Sequence, residues 1–443
     1  MQTSKKTQML AAIDIGTTKI VSIIGQKNQK GRIDVLGLSR AESTGVKRGT
    51  ILNIEETVNA IQKTVDEAWR QAGISNINEV FVGIAGQYIK SIRNRGYINR
   101  DSYDTEITRE DIYALINDMH KIPIDTGEEI IHVLPQSYIV DNEHGIKNPV
   151  GMNGKRLEAN FNIVIGQQAS AKNIEKCVGR AGLRIIDLIL EPLASAEATL
   201  TEDEKEAGVT LIDIGGGTSD LVVYYDGIIR HTAVIPFGGN VVTEDIKKGC
   251  SILHRQAELL KKQFGSALGE IAPEDKVVTI PGISGREPKE ISFKNLAYII
   301  QSRMEEIIDA ALFEIEGSGF YERLSAGIVI TGGGALLRHL PQLVKFKTGL
   351  DVRVGLPNEH LAGDAQQEVN HPTYSTAVGL ILKGYQFYER EQKAESAIKE
   401  VKTDQEEEKQ PDSDSEKSKA SKSLFDNLKK TITDLFDDED VEM

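Results

Sequence analysis

Cysteine is almost missing from this chain: 443 residues hold two, Cys177 and Cys250. They form no CxxC pair and no metal spacing with histidine, so a disulfide framework and a cysteine zinc site are both excluded. They read as buried thiols of a reducing cytosol. Tryptophan occurs once and aromatic residues make up 5%, too few for a platform that stacks single-stranded nucleic acid. Positive charge is also short: 52 Lys and Arg face 67 Asp and Glu, a net −15. No nucleic-acid partner is expected, because phosphates demand a basic footprint. No 18 apolar residues run together, so no helix is expected to cross a bilayer. The apolar residues 9–13, after Lys5 and Lys6, are too few for a signal-peptide core. A cytoplasmic protein is expected.

What is present is a soluble composition, 40% hydrophobic and 27% charged, at a length that suits about three domains. The charge is uneven. From Glu391 onward there are 17 acidic and 9 basic residues, a net −8, which leaves −7 for the first 390 residues. Short β-rich runs alternate with glycine turns and helical periodicity, which predicts mixed α/β layers. We read residues 1–85 and 159–195 as one core and 86–158 as an inserted subdomain within it. Residues 196–227 and 295–356 form a second core, with 228–294 as its own insert. Residues 357–388 return to the first core. Residues 389–422, rich in Glu, Lys, Gln and Ser, predict a disordered acidic linker. A helix over 423–437 and an acidic end at 438–443 close the chain.

Three glycine elements carry chemistry. Asp14-Ile15-Gly16-Thr17-Thr18-Lys19 lies between two β runs, and Asp213-Ile214-Gly215-Gly216-Gly217-Thr218-Ser219-Asp220 repeats its logic 199 positions later. Each predicts a hairpin tip where glycine lets backbone N–H groups turn toward an anion. Thr17, Thr18 and Thr218 add hydroxyls, and Lys19 can neutralise a phosphate. Asp14 and Asp213 would repel phosphate, so they make sense as ligands, through water, of the Mg²⁺ that accompanies a nucleotide. The third element, Gly332-Gly333-Gly334-Ala335, predicts a strand turning into a helix whose N-terminus seats an anion. Either hairpin alone reads equally well as a tight turn. Three elements in this order do not.

The combination resembles the actin, hexokinase and heat-shock-chaperone ATPase superfamily. That resemblance implies a two-domain α/β ATPase fold with duplicated cores and ATP with Mg²⁺ in the cleft between them. Glu191-Pro192-Leu193-Ala194 resembles the superfamily's connecting helix, which makes Glu191 a catalytic candidate that positions the attacking water. A favourable charge at a helix N-terminus explains Glu191 equally well. Gly238-Gly239-Asn240 resembles the glycine pair bordering the phosphates. Glu258 and Lys261 resemble the Glu-x-x-Lys helix beside the adenosine, with a surface ion pair as the alternative. Val82-Gly83-Ile84-Ala85-Gly86-Gln87, His132-Val133-Leu134-Pro135-Gln136 and Asn148-Pro149-Val150-Gly151-Met152 resemble the FtsA family of bacterial cell-division proteins, with its distinctive inserted subdomain. The resemblance implies an actin-like filament of this chain that binds ATP, hydrolyses it slowly if at all, and attaches the FtsZ ring to the membrane at the division site. It also implies contacts with other division proteins through the insert, and an FtsZ surface in 228–294, where Lys247, Lys248, Arg255 and Arg286 supply cations. A small-molecule kinase of the superfamily, with Asp220 as its base, and a pilus-assembly ATPase are the rivals.

In the predicted tail helix Leu424, Phe425, Leu428, Ile432, Leu435 and Phe436 fall within an arc of about 120° at ~100° per residue. Such a face suits a bilayer interface, with docking on a protein as the alternative. Full burial of the six would contribute roughly 9–18 kcal/mol, at about 1.5–3 each. The acids at 437–440 oppose both the helix dipole and anionic lipid.

Overall fold

The computed structural model describes residues 8–74, 77–282, 287–362 and 366–407. The chain divides into a unit reaching Gln386 and a second beginning at Phe387. The first unit is built on two sheets of matching topology. In one, the spatial order is Arg184–Leu190, Glu79–Ile84, Met9–Ile15, Lys19–Lys27, Ile33–Glu42 and the short Leu361–Ala362. In the other it is Val352–Val354, Ile328–Thr331, Val209–Ile214, Ser219–Tyr225 and Ile228–Ile235. Each sheet thus has a central strand with an antiparallel hairpin partner on one side and parallel strands on the other. Parallel strands need crossovers, and the helices supply them. The duplicated hairpin motif is therefore part of a duplicated fold.

Apolar periodicity explains the helices. Ile54–Ala72 buries Val58, Ile61, Val65, Ala68 and Trp69 at three- and four-residue spacing. Its N-cap Asn53 accepts the Glu56 amide, and Gly73 ends it with φ 66°, the left-handed turn that glycine adopts without penalty. Phe293–Ser318 buries Leu296, Ile300, Met304, Ile307, Ala311 and Ile315 in the same way against the second sheet. The chain returns to the first sheet through Tyr385, whose hydroxyl donates to the Gln8 carbonyl at 2.6 Å and accepts the Lys27 amide at 2.9 Å.

Three segment readings need correction. The insert does not stop at residue 158. The strand Arg156–Gln167 is the second member of a four-stranded sheet ordered Lys90–Asn99, Arg156–Gln167, Glu128–Val140 and Glu143–Ile146. Its alternate side chains Leu157, Ala159, Phe161 and Ile163 fill a separate core with Leu115 and Met119. That continuous alternation through position 158 is why the strand cannot be divided there. Residues 228–235 likewise belong to the second sheet, paired with Ser219–Tyr225, so the second insert starts later. Finally, the helix that begins at Ser375 continues to Glu407, although we expected disorder from residue 389. Glu, Lys, Ala and Gln are strong helix formers, and no Gly or Pro interrupts between Gly384 and Pro411. The second unit contributes residues 387–407 of this helix, where the Phe387 and Tyr388 rings stand 5.5 Å apart and edge to face. The remaining linker, the tail helix with Leu424, Phe425, Leu428, Ile432, Leu435 and Phe436, and the acidic end lie outside the described residues. Among the described residues no helix is long and apolar enough to cross a membrane.

Candidate functional site

The site begins with two tight turns. Gly16 N–H donates to the Lys19 carbonyl at 3.0 Å, and Gly215 N–H donates to the Thr218 carbonyl at 2.9 Å. These bonds close the two hairpins at their expected tips, and the tips face one another. A Cβ added to Gly216 would lie 2.2 Å from Thr18 Cγ2, and one on Gly217 would lie 2.4 Å from Thr17 Oγ1. Glycine at both positions is what allows this approach. The Thr17 hydroxyl also accepts the Gly49 amide at 3.1 Å.

The strand ends deliver buried acids behind the tips. Asp14, Asp213 and Asp220 are 4%, 8% and 3% exposed, a burial that charged groups tolerate only with partners. Asp213 Oδ2 accepts Ser195 Oγ at 2.6 Å and Thr376 Oγ1 at 3.3 Å. Asp220 Oδ2 accepts Thr218 Oγ1 at 3.3 Å, while Asp220 Oδ1 is buried without a partner. Lys19 Nζ stands 3.5 Å from Asp14 and donates to the Thr373 carbonyl. Burial and the neighbouring Asp14 push the Asp213 carboxyl above its usual range despite its two hydroxyl donors. Burial, then Asp213, pushes Asp220 well above it. Glu191 heads the linking helix Glu191–Thr199. Burial, followed by Asp14, Asp220 and Asp213, holds it well above the usual carboxylate range. The start of the linking helix is the place where four carboxyls, Glu191, Asp14, Asp213 and Asp220, converge.

The Gly-Gly-Gly element reaches the same place by a different route from the one expected. The strand Ile328–Thr331 leads into a turn and the 3₁₀ segment Gly334–Leu336. The next α-helix, Leu340–Thr348, starts only at Pro341's turn, because proline favours the first helical turn and the preceding amides close short turns instead. No α-helix N-terminus stands at these glycines. Their contribution is room. Gly332 has φ 80°, and a Cβ there would meet Asp213 Oδ1 at 2.2 Å; one on Gly334 would meet Ile214 Cγ2 at 2.3 Å. Gly333 lies beside Thr373, and Ala335 is buried at 4% exposure.

Gly238 and Gly239 open the helix Gly239–Cys250. Gly239 N–H donates to the Gly215 carbonyl at 2.9 Å, and Asn240 N–H donates to the Gly216 carbonyl at 2.8 Å, so this turn is laced to the second hairpin. Lys261 Nζ lies 2.7 Å from Glu258 and donates to the Gly239 carbonyl and to Thr243 Oγ1, both at 2.8 Å. Burial draws Lys261 below the usual lysine range even beside Glu258. Lys261→Met is therefore expected to destabilise the fold by about 1–3 kcal/mol in urea denaturation, since it strips the Gly239 carbonyl of a donor and leaves Glu258 short of charge. A loss below ~0.5 kcal/mol would restore the surface-pair reading.

Sequence reasoning missed Ser195, Thr373, Thr376 and the orphaned oxygen of Asp220. Ser195 follows Glu191 by one helical turn and was open to inference. Thr373 and Thr376 arrive from far along the chain with no local signal. Of the four cations singled out in 228–294, Lys247 is paired with Glu244 at 3.0 Å and Lys248 and Arg255 are exposed, while Arg286 lies outside the described residues. Among the described residues no group of three or more His, Cys, Asp or Glu is arranged to hold a metal ion, so an Mg²⁺ ion here would have to be held mainly through water and phosphate oxygens, beside the orphaned Asp220 oxygen and the partnered Asp14 and Asp213.

Two family models match the chain. One, described as "Cell division protein FtsA", covers residues 210–379, and the other, "SHS2 domain inserted in FTSA", covers residues 86–165. The cell division protein FtsA of Pseudomonas aeruginosa is 38% identical over 386 residues, 87% of this chain and 91% of that protein. The FtsA of Escherichia coli K12 is 35% identical over 385 residues, 85% of this chain and 90% of that protein. Among solved structures, the PilM-PilN type IV pilus biogenesis complex matches with TM-score 0.62 at 17% identity, covering 85% of this chain and 98% of that one. MreB5 of Spiroplasma citri bound to ADP matches with TM-score 0.51 at 15% identity, covering 87% and 99%. These likenesses show the actin-like fold, with the FtsA-type insert between its strands, and at this identity and coverage the chain belongs to the FtsA family of cell-division proteins.

Proposed function

We propose that this protein acts in cell division as an ATP-binding, actin-like protomer that polymerises at the inner face of the cytoplasmic membrane and anchors the FtsZ ring there. The observation that carries the nucleotide half of this reading is the meeting of two equivalent hairpins over Asp14, Asp213 and Asp220. Lys19 and the amides of the hairpin tips at Thr17, Thr18, Gly216 and Gly217, beyond the Gly16 and Gly215 turns, would face the phosphates, with Gly238 and Gly239 bordering them. Asp14 and Asp213 would hold Mg²⁺ through water, and that ion would offset phosphate charge. Glu258 and Lys261 would flank the adenosine. Glu191 is the group suited to position a water. Burial and the neighbouring Asp14, Asp220 and Asp213 hold its carboxyl above the usual carboxylate range. MreB 5 of Spiroplasma citri, solved bound to AMPPNP, shares the fold, which supports a nucleotide here.

The membrane half rests on the sequence of the tail. A single helix binding with six apolar side chains should attach reversibly, and a filament presenting many copies gains avidity without new contacts. Contacts with other division proteins are assigned to the first insert, and FtsZ to the second insert that follows the strand Ile228–Ile235, by family resemblance. Electron microscopy of the protein with ATP and lipid vesicles should show membrane-bound filaments; monomers under every condition would overturn the reading. Deleting residues 423–443 should abolish vesicle sedimentation while leaving ATP binding intact. One observation favours a kinase instead, the unpartnered Asp220 Oδ1, and transfer of labelled γ-phosphate to a small acceptor would establish that alternative.

A further inference from the structure

A second cleft, with several polar side chains in its wall, lies away from the hairpins, where the insert's sheet meets the edge strand Ile228–Ile235 of the second core. It has a volume of about 370 Å³ and is lined by Arg93, Arg95, Gln136, Asn160, Asn162 and Arg230. Strand register explains the composition. Asn160 pairs with Arg95 and Asn162 with Arg93 across the ladder, so all four side chains project from the face opposite the Leu157–Ile163 core.

Its cations differ in how well they are balanced. Arg95 is neutralised by Glu158 at 2.6 Å. Arg93 and Arg230 have no carboxylate partner among the described residues. Arg93 Nη2 donates to the Ser318 carbonyl at 2.7 Å. Arg230 Nε donates to the Tyr225 carbonyl at 3.1 Å, and its guanidinium lies 5.4 Å from the Phe320 ring centre. These neutral contacts hold the forks in place and leave their charge unmatched. Burial draws Arg230 below the usual arginine range, with Asp226 opposing, and Asp226 is itself engaged by Lys147 at 2.6 Å. The same cleft is lined by Asn162, Arg93's partner across the ladder, which is 2% exposed and whose Nδ2 has no hydrogen-bond partner. A buried amide donor left unmade is costly, and buried polar groups are ordinarily satisfied.

We propose that this cleft binds a small solute bearing a carboxylate or phosphate group, gripped by the Arg93 and Arg230 guanidiniums with the Asn162 amide as a neutral donor. Planar forks match oxyanions in two-point geometry, and the volume falls in the range of small-ligand sites, roughly 300–1,000 Å³. Because Arg93 belongs to the insert and Arg230 to the second core, an occupant joins the two. This site is independent of the nucleotide reading.

The test titrates the full-length protein by calorimetry with inorganic phosphate in one arm and citrate in another, at constant ionic strength and with saturating ADP to occupy the hairpin cleft. Saturable binding of either probe is expected, weakened at least tenfold by Arg230→Gln and by Arg93→Gln. Binding of phosphate alone assigns a phosphorylated solute, and binding of citrate alone assigns a carboxylate. Arg230→Gln could unseat Tyr225 and Phe320, so Arg230→Lys, which keeps the charge and loses the fork, should also bind at least threefold more weakly while unfolding at the wild-type temperature. Absence of saturable binding in both arms, or equal affinity in Arg93→Gln and the wild type, would overturn the proposal.

Discussion

Replacing Gly379 by alanine should destabilise the protein by about 3 kcal/mol, at the top of the usual range for overpacking, and should weaken nucleotide binding at least tenfold. Gly379 lies in the helix that begins at Ser375, where it crosses the linking helix Glu191–Thr199. An added Cβ would sit 1.8 Å from the Ala194 carbonyl oxygen and 2.3 Å from its carbon. Both atoms are backbone, so no side-chain rotation relieves the clash, and the helices must separate by roughly an ångström to reach normal contact. Exposed helical glycines behave in the opposite way, since alanine there gains up to ~1 kcal/mol. The sign of the change is therefore diagnostic. The link to the site is direct. Ser195 follows Ala194, Thr376 precedes Gly379 by one turn, and both donate to Asp213 Oδ2, at 2.6 and 3.3 Å. Separating the helices draws both donors away and leaves a buried carboxylate to be desolvated alone. Urea denaturation and binding of a fluorescent ATP analogue measure the two effects. Unchanged stability would mean that the helices do not cross at Gly379 as closely as described.

The same crossing shows what could be read in advance. The hairpins were legible because each compresses its chemistry into six to eight consecutive residues: an acid at the strand end, glycines, then hydroxyls. The linking helix was legible from Glu191-Pro192, a local N-terminal signature. Asp213's second donor was not, because Thr376 is 163 positions away and only the fold brings it near. The glycine triplet was identified correctly as an element and wrongly as a helix start, since a 3₁₀ turn and an α-helical turn differ by where Pro341 stands rather than by the glycines. The insert's end was misplaced because the same alternating pattern runs through positions 157–165, and nothing in a strand's own sequence says which sheet it joins. The polar face of that strand, Asn160 and Asn162, drew no attention for a similar reason. Isolated asparagines announce nothing until the opposite strand supplies arginines.

Asp220→Asn should raise the stability of the nucleotide-free protein at pH 8 while cutting the Mg²⁺-dependent part of its nucleotide affinity at least tenfold. Burial holds the Asp220 and Glu191 carboxyls well above their usual range and Asp213 above it, with each further raised by its acidic neighbours. A native acid with a raised pKa keeps a proton that the unfolded chain has lost. Between the ordinary carboxylate value near 4 and the raised native value, the native state binds more protons, so stability falls as pH climbs through that window. Nothing of this contribution is lost below it, where both states are protonated. Wild type and Asp220→Asn should therefore unfold at closer urea midpoints at pH 5 and diverge at pH 8, where the variant should gain on the order of 1–3 kcal/mol by replacing a buried ionisable group whose Oδ1 has no partner. The amide keeps an oxygen for Thr218 and gains a donor toward its acidic neighbours. What it loses is the negative charge that would help hold a divalent cation, so nucleotide affinity measured with Mg²⁺ and with EDTA should nearly coincide in the variant and differ in the wild type. Stabilisation without a change in Mg²⁺ dependence would reduce Asp220 to a strained core acid. Destabilisation at pH 8 would show that its charge is already balanced in the fold, and would remove it from the site.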